Sequence, residues 1–176
     1  MSLWFPRLAS ERVLRTCPHD GAFALTFNEK NANRLYCLNG QAEAQGLYRG
    51  MAYSDARAFC PTLQTIPVDF RADQRFLEIL RRWATRYCPW VGFEGVDALV
   101  LDITGSAHLM GGEEAMLADI SARLNRTGLS VRMGLGNTRG AAWALAHHGE
   151  EGKQIVGLLS TAEDITQRIN LERQLP

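Results

Sequence analysis

The sequence predicts an α+β fold, a ferredoxin-like βαββαβ plan interrupted by a small α/β insertion. Three observations predict it. Two long segments, 69–87 and 113–126, carry apolar residues at three- and four-residue steps, the signature of amphipathic helices. Apolar runs at 3–5, 90–93, 98–104 and 129–135 flank those helices in the order strand, helix, strand, strand, helix, strand once residues 8–68 are set aside. The set-aside residues form a block of their own, with extended runs, short helical runs and stops at Gly46 and Pro61.

Taken in order, Leu3-Trp4-Phe5 is a brief strand that Pro6 ends. Residues 8–16 show helical spacing, with Leu8, Val13 and Leu14 apolar and Arg12 and Arg15 outward. The strand-like runs 22–27 and 34–38 are joined by the polar link 28–33, which suggests a hairpin. A short helix near 41–45 stops at Gly46. Ser54 is the expected cap of a helix holding 55–59, which Pro61 stops, and 63–67 is extended. Along 69–87, Phe76, Leu77, Leu80, Trp83, Ala84 and Tyr87 form the apolar stripe, and Cys88-Pro89 ends it. Residues 94–97 separate the two central strands. Gly111-Gly112 introduces the second long helix, striped by Met116, Leu117, Ile120 and Leu124. A glycine-bearing turn at 134–138 then leads into a helix through His147. Residues 154–158 read as a final strand, and Thr161 with Asp164 opens a last helix as a capping box.

The chain has 176 residues, 46% hydrophobic and 22% charged, which excludes a disordered or collagen-like polymer. No apolar run approaches the ~20 residues needed to span a bilayer. A net charge of zero argues, at first reading, against a dedicated nucleic-acid binder. The zero is divided, however: residues 1–88 hold 12 Lys+Arg against 8 Asp+Glu, and residues 89–176 hold 7 against 11. The basic residues are nearly all arginine, Lys30 and Lys153 being the two lysines. Arginine favours forked contacts to phosphate or carboxylate. Cys17, Cys37, Cys60 and Cys88 lack the spacing of a zinc site and, without a secretory leader, read as buried thiols of a reducing cytoplasm. His147-His148 reads as a helix-end or surface pair rather than a metal site.

The acidic residues beside the central hairpin are where chemistry would sit. Asp97 and Asp102 are five positions apart, and an odd separation on a strand puts them on opposite faces. A two-metal site needs several carboxylates converging on ions ~4 Å apart. This stretch offers one well-placed candidate, with Glu94 beyond Gly95.

Four segments in order carry a family resemblance: LWFPRLASERVLR, AEAQGLYRGMAYSDARAFCPTLQTIP, VDALVLDITGSAHLMGG and VRMGLGNTRGAAWALAHH. Together they resemble the N-terminal part of the Y-family (DinB/UmuC-type) translesion DNA polymerases, most closely the noncatalytic ImuB group. The resemblance implies a polymerase palm at residues 1–7 and 69–176 and fingers at 8–68, with thumb and little-finger domains lying outside this chain, which it implies is a fragment. Active members resemble one another in an Asp ending the first strand, where this chain has Phe5, and in an Asp-Glu pair, where it has Asp97-Ala98. Their aromatic steric gate falls at Ser10, their finger Tyr and Arg at Gly40 and Glu43, and their phosphate-side Lys at Asn137. The resemblance thus implies a degenerate metal site at Phe5, Asp97 and Ala98 and a degenerate nucleotide site at Ser10, Gly40, Glu43 and Asn137, with Glu43 expected to repel a triphosphate. It implies no cofactor. Gly136, Asn137, Thr138 and Arg139, at a helix N-terminus, are candidate DNA-phosphate contacts. The competing reading is that Gly136 and Gly140 only permit a tight turn and close helix packing.

What the resemblance implies about function is a catalytically inactive accessory protein of damage-induced mutagenesis, the SOS response and translesion synthesis. Such a protein is bacterial, cytoplasmic and nucleoid-associated. It bridges an error-prone C-family DNA polymerase, the sliding clamp, a RecA-like partner and DNA, mostly through regions beyond Pro176. Two other readings stay open. One is an active Mg²⁺-dependent translesion polymerase using Glu94, Asp97 and Asp102. The other is a diguanylate-cyclase-like nucleotide-binding domain, because Gly111-Gly112-Glu113-Glu114 is similar to the GGDEF loop, although Ala115 holds the aromatic position and a helix follows where a strand belongs.

Overall fold

The computed structural model describes residues 1–149 and the short strand Ile155–Val156. The elements follow as β1 (Ser2–Trp4), α1 (Leu8–Thr16), β2 (Phe23–Glu29), β3 (Ala32–Leu38), α2 (Gly40–Ala44), α3 (Tyr53–Phe59), β4 (Gln64–Pro67), α4 (Phe70–Ala84), β5 (Val91–Glu94), β6 (Ala98–Leu101), a 3₁₀ turn at Ala107–Met110, α5 (Glu113–Arg126), β7 (Arg132–Leu135), α6 (Arg139–His148) and β8 (Ile155–Val156). Contacts divide the chain into two units. One comprises Met1–Pro6, Leu77–Arg126 and the residues from Val131 on; the other comprises Arg7–Phe76 and Thr127–Ser130.

The first unit is built on a five-stranded sheet of order β5-β6-β1-β7-β8. β1 lies between two antiparallel partners, Leu3 opposite both Leu99 and Met133, and Trp4 opposite both Ala98 and Arg132. β8 runs parallel to β7 at the far edge. This is the expected α+β plan with one further strand. Leu3, Leu99 and Leu101 are buried, as are Leu77 and Leu80 of α4 and the α5 stripe Met116, Leu117, Ile120 and Leu124. Each such side chain contributes about 1.5–3 kcal/mol through burial.

Side chains alternate across the strands, so Ser2, Trp4, Ala98, Arg132 and Gly134 share the other face of the sheet. α6 packs on that face, over β7 and β1. Its approach is close enough to require glycine. A Cβ on Gly134 would stand 2.1 Å from the Ala142 carbonyl oxygen, and one on Gly136 would stand 2.8 Å from Ala141 Cβ. Thr138 caps α6, its Oγ1 accepting from the Ala141 N–H at 3.2 Å. At the opposite edge, β5 pairs with β6 alone among the described residues. Trp90, Phe93 and Val96 are exposed there, and Arg81 lies 5.7 Å from the centroid of the Phe93 ring.

Three boundaries differ from the sequence reading, each for a local reason. The strand expected over 98–104 ends at Leu101, because the Asp102 carboxylate takes the Thr104 N–H at 3.1 Å and turns the chain. The strand expected over 129–135 starts at Arg132, because Leu129 and Ser130 belong to the second unit, where Glu11 accepts the Ser130 N–H at 2.8 Å and its hydroxyl at 2.5 Å. The helix expected over 69–87 ends at Ala84, and the next three N–H groups, Thr85 to Tyr87, bond three residues back in a tightened turn.

The second unit carries a three-stranded sheet of order β3-β2-β4. The β2–β3 hairpin has a tighter turn than the polar link suggested: Lys30 and Asn31 adopt φ of 48° and 62°, a mirror-type turn whose twist suits paired strands. β4 adds to β2 in parallel. One apolar cluster joins Ala9 and Val13 of α1 to Phe23, Leu25 and Cys37; another joins Ala24, Leu35 and Leu38 to Ala42, Ala56 and Leu63. Asn39 ties them down. Its Oδ1 accepts from the N–H groups of Ala42 (2.9 Å) and Phe23 (3.0 Å), and its Nδ2 donates to the Gly21 carbonyl (2.8 Å). Ser54 is not the cap expected: Ala52 precedes α3, and the Ser54 hydroxyl donates to Asp55. Cys17 is exposed rather than buried, while Cys37, Cys60 and Cys88 are buried free thiols. The helix expected from Thr161 lies outside the described residues. No described helix is long and apolar enough to cross a membrane.

The close approach of α6 yields a paired prediction. Gly134→Ala drives a methyl group into the α6 backbone and is expected to lower stability by about 2 kcal/mol or more, as overpacking does. Gly140→Ala, inside the same helix with nothing within 4 Å of the new methyl, is expected to stabilise by about 0.5–1 kcal/mol. Urea unfolding of the two variants checks both signs.

Candidate functional site

Phe5, Asp97 and Ala98 are neighbours at one end of the first unit's sheet. Trp4 pairs with Ala98 across the β1–β6 ladder, and the Phe5 N–H donates to the Asp97 carbonyl at 2.9 Å, extending that ladder by one residue. Phe5 is 0% and Ala98 1% exposed, so both positions are closed over by core rather than open to a ligand. The remaining carboxylate is engaged: Asp97 Oδ2 accepts from the Trp4 indole N–H at 3.2 Å. A phenyl ring, a methyl group and one bonded carboxylate do not fit Mg²⁺, which demands several hard oxygen ligands in a near-octahedral shell. Among the described residues no cluster of three or more His, Cys, Asp or Glu has metal-binding geometry.

Glu94 and Asp102, the other acidic candidates, do not join Asp97. The Glu94 side chain is 13% exposed and is held by Arg139 Nε at 2.6 Å, with the Ser2 hydroxyl donating at 3.4 Å. Asp102 follows the far end of β6, and its hydrogen bond from Thr104 holds its carboxyl below the usual range. It lines a cleft of about 760 Å³ together with His108, Glu113, Asn137, Thr138 and Arg139. The antiparallel register explains the separation. β7 enters beside Trp4 at Arg132 and leaves beside Ser2 at Gly134, so Asn137 lies beyond the Met1 end of β1 and Phe5 beyond the other. From Arg132 to Leu135, at ~3.3 Å per residue, is roughly 10 Å of strand, and Asn137 lies two residues further on. Asn137 therefore does not share a site with Phe5, Asp97 and Ala98.

Ser10, Gly40 and Glu43 lie in the second unit. Ser10 is wholly buried and donates its hydroxyl to the Leu38 carbonyl at 2.8 Å, a structural bond between α1 and β3. Gly40 opens α2, with the Arg7 guanidinium carbon 3.6 Å from where a Cβ would stand. Glu43, expected from the sequence to repel a triphosphate, is paired with Arg7. Arg7 holds its Oε2 with Nη2 at 2.5 Å and Nε at 2.8 Å, so the pair has no net charge. An incoming phosphate would meet an arginine already committed. Arg7 and Glu43 are 36 positions apart, and no local pattern in the sequence links them.

The turn before α6 divides between its two readings. Gly136 is required for packing, Gly140 is not, and Arg139 is drawn to Glu94. Thr138 spends its hydroxyl oxygen on the helix cap, leaving Asn137 as an exposed residue of the cleft.

Sequence reading missed the most distinctive group in this unit. The His147 imidazole is sandwiched between two indoles, 4.3 Å from the Trp4 ring and 4.2 Å from the Trp143 ring, with interplanar angles of 19° and 21°. The Arg132 guanidinium covers the outer side of Trp4 at 5.4 Å. The signal was present in part. Trp143 and His147 are four apart on a helix and so must meet, and Arg132 and Trp4 become neighbours once the β1–β7 register is known.

A palm-like sheet with an inserted three-stranded lobe defines a polymerase-type palm-and-fingers fold of the Y family. The chain aligns with the post-insertion binary complex of Dbh DNA polymerase at a TM-score of 0.70 and 14% identity, over 82% of this chain and 44% of that one. The insertion ternary complex of the same polymerase aligns at 0.69, with the same identity and coverage. The pattern of the impB/mucB/samB family (IMS) matches residues 19–147, and the chain belongs to that family. Protein ImuB of Caulobacter vibrioides, in strain NA1000 / CB15N and in strain ATCC 19089 / CIP 103742 / CB 15, is 47% identical over 106 residues, 60% of this chain. The chain spans 23% of the length of those relatives. The resemblance read from the sequence is borne out.

If the Trp4 N–H bond is what holds Asp97, the two residues are energetically coupled. A double-mutant cycle of Trp4→Phe and Asp97→Ala, measured by urea unfolding, is expected to give a coupling of about 1.5–3 kcal/mol, the range of hydrogen bonds to charged groups. Additive losses would mean the bond contributes nothing.

Proposed function

We propose that the chain is the palm and fingers of a catalytically inert, DNA-associated accessory protein of translesion synthesis and damage-induced mutagenesis, of the ImuB kind. The palm comprises residues 1–7 and 69–176 and the fingers 8–68. The observation that carries this reading is the state of the sheet end at Phe5, Asp97 and Ala98: two of the three positions the family resemblance assigns to metal carboxylates hold buried carbon, and the third accepts a hydrogen bond from an indole N–H. Loss at Ser10, Gly40 and Glu43 points the same way, since each is absorbed into a structural contact of the second unit. The protein's partners are an error-prone C-family polymerase, the sliding clamp and a RecA-like protein. Within the chain, Asn137 and its neighbours at the α6 N-terminus are the candidate DNA-phosphate contacts.

Primer extension tests the inert reading. With Mg²⁺ or Mn²⁺, a primed template is expected to gain no nucleotides; templated extension lost in Asp97→Ala would overturn the proposal. The converse substitution is equally informative. Phe5→Asp with Ala98→Glu buries two carboxylates and is expected to lower stability by several kcal/mol. Added Mn²⁺ should raise the Tm of that double variant and leave the parent unchanged.

A further inference from the structure

Among the described residues, the stack on the α6 face of the first unit ends at Trp143 with no further layer on it. Its layers are guanidinium, indole, imidazole and indole, from Arg132 through Trp4 and His147 to Trp143. One side of the Trp143 ring lies on His147, and His148 meets the ring edge-on at 70°. Towards the start of α6 the neighbours of Trp143 are the residues three and four back, Gly140 and Arg139. Gly140 has no side chain, and nothing lies within 4 Å of where its Cβ would be. Arg139 is turned away to Glu94. Trp143 accordingly keeps 39% of its surface exposed, on a helix whose other large apolar residue, Leu145, is buried.

We propose that this exposed indole is a stacking platform for one unpaired base of a DNA strand, with the base lying over Gly140 as the fifth layer of the stack. Three features favour a nucleobase as the occupant. The layers already present are flat, aromatic or guanidinium, and spaced at the separation a base would continue. The open volume sits over a residue without a side chain, so a planar ring enters without displacing protein. A cation lies at the far end of the stack, the Arg132 guanidinium over Trp4. Stacking on an aromatic side chain accepts any base, because every base has a π face. The inference rests on the DNA-associated reading above and adds to it a particular contact.

The test uses this chain with three fluorescein-labelled probes: a 12-nucleotide oligothymidine, an abasic phosphodiester strand of the same length, and a 12-base-pair duplex. Anisotropy gives affinity and tryptophan emission reports stacking. The expected result is that oligothymidine binds more tightly than the abasic strand and quenches tryptophan emission. Trp143→Ala should weaken oligothymidine about 10-fold and leave the abasic strand unchanged, in line with the usual worth of one stacked base. Gly140→Leu, which fills the place but keeps Trp143, should have the same effect and guards against a folding defect in the first variant. Equal binding of base-bearing and abasic strands, unchanged in both variants, overturns the stacking site while leaving DNA contact standing. No binding to any probe overturns both.

Discussion

The closeness of α6 to β7 governs the rest of the first unit. A helix normally rides on a sheet with side chains between the two backbones. Here Gly134 removes that layer, and the Ala142 carbonyl approaches where a Cβ would stand. Because the helix sits low, a residue two turns along it, His147, comes level with Trp4 on the central strand, and the indole–imidazole–indole stack can form. The same seating brings Arg139 to Glu94 across the sheet face. Both the stack and the ion pair follow from a missing methyl group on β7.

Charge in this molecule is consumed locally. Arg7 takes Glu43, Arg139 takes Glu94, Arg123 takes Asp119 and Arg12 takes the mostly buried Asp73. The exposed pairs contribute little to stability, each typically below about 1 kcal/mol. Their greater effect is to cancel fields that might otherwise attract or repel a polyanion. Asp73 is the exception in kind: burial pushes its carboxyl up although Arg12 pulls it down, and its Oδ2 has no partner among the described residues. That residue costs stability when ionised, and the arginine offsets the cost only in part.

Much of this architecture was legible in the sequence because its signals are local. Apolar stripes on α4 and α5, the stop at Pro61 and the turn-rich link between β2 and β3 each depend on neighbours along the chain. The adjacency of Phe5 to Asp97 and Ala98 followed from family resemblance rather than from spacing. What escaped was tertiary. Arg7 and Glu43, Glu94 and Arg139, and Trp4 with His147 are brought together only by register and helix seating, neither of which leaves a periodic trace. The separation of Asn137 from Phe5 has the same origin. An antiparallel β7 carries its C-terminal turn away from Phe5, and no count of residues along a strand reveals its direction.

The edge of β5, unpaired among the described residues, bears on how the molecule behaves in solution. Unpaired strand edges favour association between copies, and proteins usually blunt them with charge. Here the flanking residues are Trp90, Phe93 and Val96, all exposed, on a chain whose formal net charge is zero and whose isoelectric point is about 6.9. Long-range repulsion between molecules is therefore weakest near neutrality. Colloidal stability of the chain should therefore be lower near neutrality than well away from it on either side.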